Sequence, residues 1–113
     1  MASVFTKIIN REIPSVIYYE DDLCMAIKDI QPVSPVHAIL FPKKEIVSMN
    51  DLSHADAALV GHCLVKATEV ARRLKIADDG YRLVVNTGEN GGQSVPHIHI
   101  HILGGRPHQW PPG

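Results

Sequence analysis

The spacing of hydrophobic and polar positions changes several times along this chain, and each change marks an element. Val4, Phe5, Ile8 and Ile9 follow helical spacing behind Ser3, a residue suited to cap them, and Pro14 closes the segment. A short N-terminal helix is predicted there. Ser15 to Glu20 is rich in β-formers, Asp21-Asp22 is a turn, and Leu23 to Lys28 alternates loosely, which predicts a hairpin. Pro32 and Pro35 exclude regular structure from the loop over 29–35. Val36 to Phe41 follows as a strongly apolar strand, ended by Pro42. Ser53 with Asp56 three residues later resembles a weak capping box, and the helix behind it extends to about Lys75. Its apolar residues from Ala57 to Leu74 fill an arc of roughly 160° at ~100° per residue, with Ala58 and Val65 outside it. An arc that wide suits a helix that covers a sheet and also meets a second subunit or a tail of its own chain. Ala77 to Gly80 is a turn, and Tyr81 to Thr87 is the fourth strand.

The next stretch breaks from this ordinary pattern. A glycine-rich loop, Gly88 to Ser94, empties into His97-Ile98-His99-Ile100-His101-Ile102-Leu103. Strict alternation is the mark of a strand with two unlike faces. One face is three imidazoles and the other is isoleucine. The tail from Arg106 to Gly113 is irregular, with Pro107, Pro111 and Pro112 excluding a helix. No long crossover separates the last two strands, so they are expected to pair antiparallel. The expected architecture is α+β: a mostly antiparallel sheet of about five strands, one long helix and a short N-terminal helix, in one domain over 1–113.

Composition narrows the functional classes. The 113 residues are 45% hydrophobic and 20% charged, with a net charge of −1, so no general attraction to nucleic acid or membrane is implied. There is no run of about 18 apolar residues and no long apolar leader, which makes a cytoplasmic protein the default. Cys24 and Cys63 each sit in an apolar pattern and are read as reduced core thiols; a disulfide or a reactive thiol is the alternative.

On one strand face, His97, His99 and His101 stand about 6.6–6.8 Å apart at alternate positions. Three readings compete: an exposed structural face, a zinc site, and catalysis on a phosphate. Placing three histidines of a single extended strand on one ion is geometrically difficult, because zinc ligands sit much closer together than that. The phosphate reading fits the neighbours best. Gly91-Gly92 lets loop N–H groups form an anion-binding concavity, Ser94 adds a hydroxyl and Gln93 an amide. A neutral imidazole attacks phosphorus through a bare ring nitrogen when an acceptor holds its other nitrogen protonated. The middle histidine, His99, has a partner on both sides and is the natural nucleophile. Other candidates have plainer readings beside the functional one: Asp29 as a turn aspartate, His37 as a satisfied core histidine, and Asn86 as a strand-end cap. Pro96 biases Val95, at the end of the loop, towards extended geometry.

These residues resemble the histidine triad superfamily. The run from His97 to Leu103 fits its motif of three histidines alternating with apolar residues. Asp29-Ile30, Pro35-Val36-His37, Pro42-Lys43-Lys44, Gly80-Tyr81-Arg82, Val84-Val85-Asn86, Gly91-Gly92-Gln93-Ser94 and Trp110-Pro111-Pro112-Gly113 resemble the Hint-like branch, in order along the chain. The resemblance implies a homodimeric nucleotide hydrolase that cleaves purine nucleoside phosphoramidates, including nucleotidyl-lysine, without a metal or other cofactor. It implies His99 as the nucleophile that becomes nucleotidylated, with His97 and His101 supporting the phosphate and the imidazole and Ser94 beside the departing amine. It further implies Gln93 and Asn86 near the phosphate and Asp29 on the ribose hydroxyls. Ile30 would lie against the base, His37 close to the triad, and Trp110 would reach the partner's site. Gly92 and Val95 complete the expected substrate-binding set. A regulatory or scaffold protein that binds nucleotide, with incidental catalysis, would carry the same pocket residues.

Overall fold

The computed structural model describes residues 2–113. Helix α1 (Val4–Ile9) is followed by strands β1 (Ile17–Glu20), β2 (Cys24–Lys28) and β3 (Val36–Pro42). Then come helix α2 (Ala57–Arg73) and strands β4 (Arg82–Val84) and β5 (Ile100–Gly104). The five strands form one sheet in the order β1-β2-β3-β5-β4, and every neighbouring pair is antiparallel. The α+β architecture is therefore as the sequence predicts. Among the described residues no helix is long and apolar enough to cross a membrane.

Both faces of the central strands are apolar, and the period of two sorts them into two cores. Cys24 and Ala26 of β2, Ala38 and Leu40 of β3, and Ile100 and Ile102 of β5 share one cluster with Cys63, Ala67, Val70 and Ala71 of α2. Met25 and Ile27 of β2, with Ile39 and Phe41 of β3, turn to the other face and cluster with Phe5 and Ile8 of α1. Alanines on both the sheet and α2 leave room for close approach of the helix. Large side chains such as Phe41, Met25 and Leu40 are fully buried, each worth roughly 1.5–3 kcal/mol of transfer free energy. Ser3 caps α1 by accepting from Thr6 N–H.

The boundaries depart from expectation in physically intelligible ways. The Asp56 carboxylate does cap Ser53, accepting from its N–H at 3.0 Å, but the pair opens a 3-10 turn over His54–Asp56 that leads into α2. The helix ends at Arg73, with Lys75 in the left-handed region at φ 62°. A second capped 3-10 turn, Met49–Asp51, lies between β3 and the His54–Asp56 turn, where the sequence pattern predicts no element. The fourth strand pairs only over Arg82–Val84. The largest correction concerns the histidines. The last strand begins at Ile100, so only His101 of the three lies in the ladder. Upstream, backbone donors are committed elsewhere: His97 N–H to Val95 O at 2.8 Å and Ile98 N–H to Ile46 O at 2.8 Å. Pro96 has no N–H to offer. The three imidazoles consequently do not line one flat strand face.

Candidate functional site: a histidine cluster at a cleft

The site grows from the register of β3 and β5. His37 pairs with Leu103 and Ile39 with His101, which makes His37 and His101 diagonal neighbours on one face. Their rings meet directly, with His37 Nε2 and His101 Nδ1 2.9 Å apart. A fixed backbone donor decides where the proton lies. Val33 N–H donates to His37 Nδ1 at 3.1 Å, so that nitrogen carries the lone pair and Nε2 carries the hydrogen. His37 Nε2–H then donates to His101 Nδ1, with the Asp29 carboxylate also 3.2 Å away. By the same logic His101 bears its hydrogen on Nε2.

His99 is oriented from the other side. Its Nδ1–H donates to the backbone carbonyl of His97 at 2.8 Å, which leaves Nε2 with a bare lone pair. The ring packs edge-on against Phe5 and against His101, both with centroids 5.0 Å away. Only 3% of the residue is exposed. A bare nitrogen thus lies one ring away from a neighbour that donates through N–H.

His97 behaves differently from expectation. It is fully buried, and both ring nitrogens are engaged: Nε2–H donates to Pro42 O at 2.7 Å, and Nδ1 accepts from the Ser3 hydroxyl at 2.8 Å. The ring therefore offers a phosphate nothing, and its support of His99 passes through its carbonyl. The three triad rings do not converge on a common ion. Beside the triad, the residues whose ligand atoms lie within 4.8 Å of one another are instead Asp29, His37 and His101, already joined by polar contacts.

Burial keeps these rings uncharged. Desolvation, with the neighbouring His99 and His37 adding to it, brings His101 down to about 4. His37 is lowered by burial against an opposing pull from the Asp29 carboxylate. His97 is lowered by burial, partly offset by its bond to the Pro42 carbonyl. At neutral pH these three imidazoles are neutral, as the tautomer assignments require.

A cleft of about 290 Å³ opens beside His37 and His101, lined also by Asp29, Val33, Val84 and Asn86 among others, with His97 and His99 behind this lining. The glycine loop forms a brace next to this cleft. Asn86 Nδ2 donates to Gly91 O at 2.7 Å, and Gly88 N–H donates to Gln93 Oε1 at 3.0 Å. Gln93 Nε2 donates to Val47 O at 2.6 Å and to Val95 O at 3.0 Å. The Gln93 amide, expected to be free for a ligand, is therefore spent on shaping the loop. Two loop N–H groups are likewise internal, Gly92 to Glu89 O and Gln93 to Gly88 O. Gly92 adopts φ +74°, a conformation that favours glycine. Ser94 is exposed, and among the described residues its hydroxyl has no side-chain or backbone partner. Val95 packs partly buried against the α1-side core.

The remaining expected residues divide. Asp29 sits at the cleft, with Oδ1 accepting from Gln31 N–H at 2.7 Å. Ile30 beside it is 90% exposed, and Trp110 is 82% exposed and lies outside the cleft lining. The tail that carries Trp110 is pinned by Arg82, which donates to Gln109 O at 2.8 Å. Sequence reasoning assigned no role in the site to Ser3, Pro42 or Val33. Ser3 was legible only as a helix cap, and the other two act through backbone atoms that every sequence contains.

This fold and histidine arrangement define a histidine triad protein. The HIT domain family matches residues 10–108, and the chain belongs to that family. An uncharacterized HIT-like protein of Synechocystis sp. is 55% identical over 98% of this chain and 96% of its own. A crystal structure of a HIT family hydrolase from Legionella pneumophila superposes with a TM-score of 0.96 at 42% identity, covering 99% of this chain and 100% of that one. A HIT family hydrolase from Clostridium thermocellum does so with a TM-score of 0.90 at 46% identity, over 92% and 90%.

Proposed function

We propose that this chain is a nucleotide hydrolase of the Hint-like branch that cleaves purine nucleoside phosphoramidates through a nucleotidyl-His99 intermediate. The observation that carries the reading is the His99 Nδ1–H bond to the His97 carbonyl, which presents Nε2 with its lone pair. In the first step Nε2 attacks the α-phosphorus. The P–N bond breaks and the amine leaves with a proton drawn from solvent through the exposed Ser94 hydroxyl, a proton that the attacking water of the second step returns to solvent. The His101 Nε2–H donates to a phosphoryl oxygen while negative charge builds on it. The nucleotidylated ring is cationic and keeps its Nδ1–H on the carbonyl. In the second step water attacks phosphorus, His99 is regenerated, and a nucleoside 5′-monophosphate departs. Asp29 holds the ribose hydroxyls and Ile30 faces the base.

The same reading makes the protein a homodimer of single-domain subunits. Supporting it, α2 leaves Leu64 and Val65 exposed on its outer side, and β4 is a three-residue edge strand. The Arg82 bond to the tail holds Trp110 out from the body, available to a partner's cleft.

The test is turnover of adenosine 5′-phosphoramidate by wild type and by His99→Ala. Loss of the nucleophile should cut kcat at least ~10³-fold, and rapid quenching of the wild type should trap a nucleotidyl adduct on His99. Comparable rates, or an adduct on another residue, would overturn the assignment.

A further inference from the structure

On the opposite face of the sheet from the histidine cleft lies a second cluster of metal-competent side chains that the hydrolytic reading does not use. Asp21 is in the β1–β2 turn, Cys24 opens β2, and His62 and Cys63 are adjacent on α2. We infer that these four residues form a binding site for a divalent cation of the zinc class, joining the hairpin turn to α2.

The geometry supports this in three ways. Asp21, Cys24 and His62 each offer a ligand atom, and these atoms all lie within 4.8 Å of one another. Zinc bonds of about 2.0–2.3 Å place tetrahedral ligands roughly 3.3–3.8 Å apart, so the three need only small adjustments to share an ion. Cys63 is buried in the same cluster as Cys24, next in sequence to His62, and would supply the fourth donor. One oxygen, one nitrogen and two sulfurs make a set suited to zinc rather than to magnesium or calcium, which prefer oxygen.

The carboxylate is already held in place. Asp21 Oδ1 accepts from Leu23 N–H and Cys24 N–H, both at 2.8 Å, and Oδ2 accepts from the Tyr19 hydroxyl at 2.7 Å. His62 Nε2 lies 2.6 Å from Oδ2, closer than two ligands of one ion would sit, so a cation would take the place of the proton they now share and move them apart. Outer partners of this kind orient ligands in built metal sites. The entry route is also present. Asp21 and His62 are partly exposed, while both sulfurs are buried beneath them.

The experiment is a cobalt(II) titration of the full chain, stripped of metal and kept reduced. The expected result is one equivalent bound, with thiolate-to-cobalt charge-transfer absorption and intense tetrahedral ligand-field bands that zinc bleaches. His62→Gln, at a partly exposed position, should weaken binding at least ~10-fold, the size that even outer-shell changes produce. Cys24→Ser should reduce the charge-transfer absorption to about that of one thiolate, and the Cys24→Ser, Cys63→Ser double variant should abolish it. His101→Gln should leave both signals intact, which separates this cluster from Asp29, His37 and His101. Absence of thiolate absorption, or a titration unchanged by His62→Gln, would overturn the proposal.

Discussion

Ser3 is the residue whose removal most directly tests how the histidine cluster is held. Its hydroxyl oxygen accepts from Thr6 N–H, capping α1, and its hydrogen goes to His97 Nδ1, 94 residues away. Ser3→Ala removes both. Loss of an N-cap costs about 1 kcal/mol. Leaving a buried ring nitrogen unpaired costs about 1–3 kcal/mol more. The sum, ~2–4 kcal/mol, should lower Tm by roughly 8–16 °C at ~4 °C per kcal/mol for a chain of this size. Ser3→Gly separates the two contributions. Glycine is nearly as good a cap as serine, so this variant should lose mainly the His97 bond, about 1–3 kcal/mol.

A second readout connects stability to the site. His97 presents the carbonyl that fixes the His99 tautomer. When the ring of His97 loses its tether, nitrogen-15 shifts of His99 should show a mixture of tautomers, and kcat should fall with KM little changed. Ser3→Thr restores the hydroxyl and should recover both properties. Thermal unfolding and nitrogen NMR of the series check the reasoning. A Ser3→Gly protein melting within ~2 °C of wild type, with His99 still in one tautomer, would refute the coupling.

Two further outcomes follow from the same geometry. His101 titrates at about 4 in the folded protein against 6.5 ordinarily, so the unfolded chain takes up the proton first as pH falls. Its contribution to stability is full above about pH 6.5 and is lost towards pH 4, by about 3 kcal/mol at most; denaturant midpoints across this range should fall less steeply for His101→Gln, and parallel curves would contradict the assignment. Gly91→Ala would place a Cβ 2.2 Å from the Thr87 carbonyl oxygen, whereas a Cβ at Gly88 meets open space and only strains a φ of +70°, at ~1 kcal/mol. Urea denaturation should therefore find Gly91→Ala the less stable of the two, and the reverse order would show that the loop relaxes freely.

Much of the fold could be read because it depends on periodicity. Cys63, Ala67, Val70 and Ala71 fall inside the apolar arc of the long helix, and all four are buried. Leu64 also falls in the arc yet is 45% exposed, because the arc is wider than one sheet face can cover. The loose alternation of the second strand corresponds to its two cores, one under α2 and one under α1. The histidine run misled the same method. Alternation predicts a strand from His97, but alternation describes side chains and strand pairing is made by backbone. Where His97 N–H and Ile98 N–H bond outside the ladder, no side-chain pattern reports it. Gln93 misled for the converse reason: an amide in a glycine loop suggests a ligand donor, and only the folded loop reveals that Val47, Val95 and Gly88 have claimed it.

The differentiation of the histidines follows from which backbone dipole each one meets. Val33 N–H sets the tautomer of His37, and through it that of His101; the His97 carbonyl sets that of His99. One end of the cluster is anchored by a donor and the other by an acceptor. The result is an N–H on His101 Nε2 beside a lone pair on His99 Nε2, with His37, His97 and His101 kept neutral by burial. Imidazoles of the same intrinsic chemistry thus acquire opposite polarity at neighbouring positions without help from a strong acid or base. Alternating histidines in the sequence supply the rings, and the peptide groups at positions 33 and 97 assign the protons. The chemistry of the site is for that reason sensitive to backbone geometry in the proline-rich loop and in the segment before β5, regions where side-chain identity alone says little.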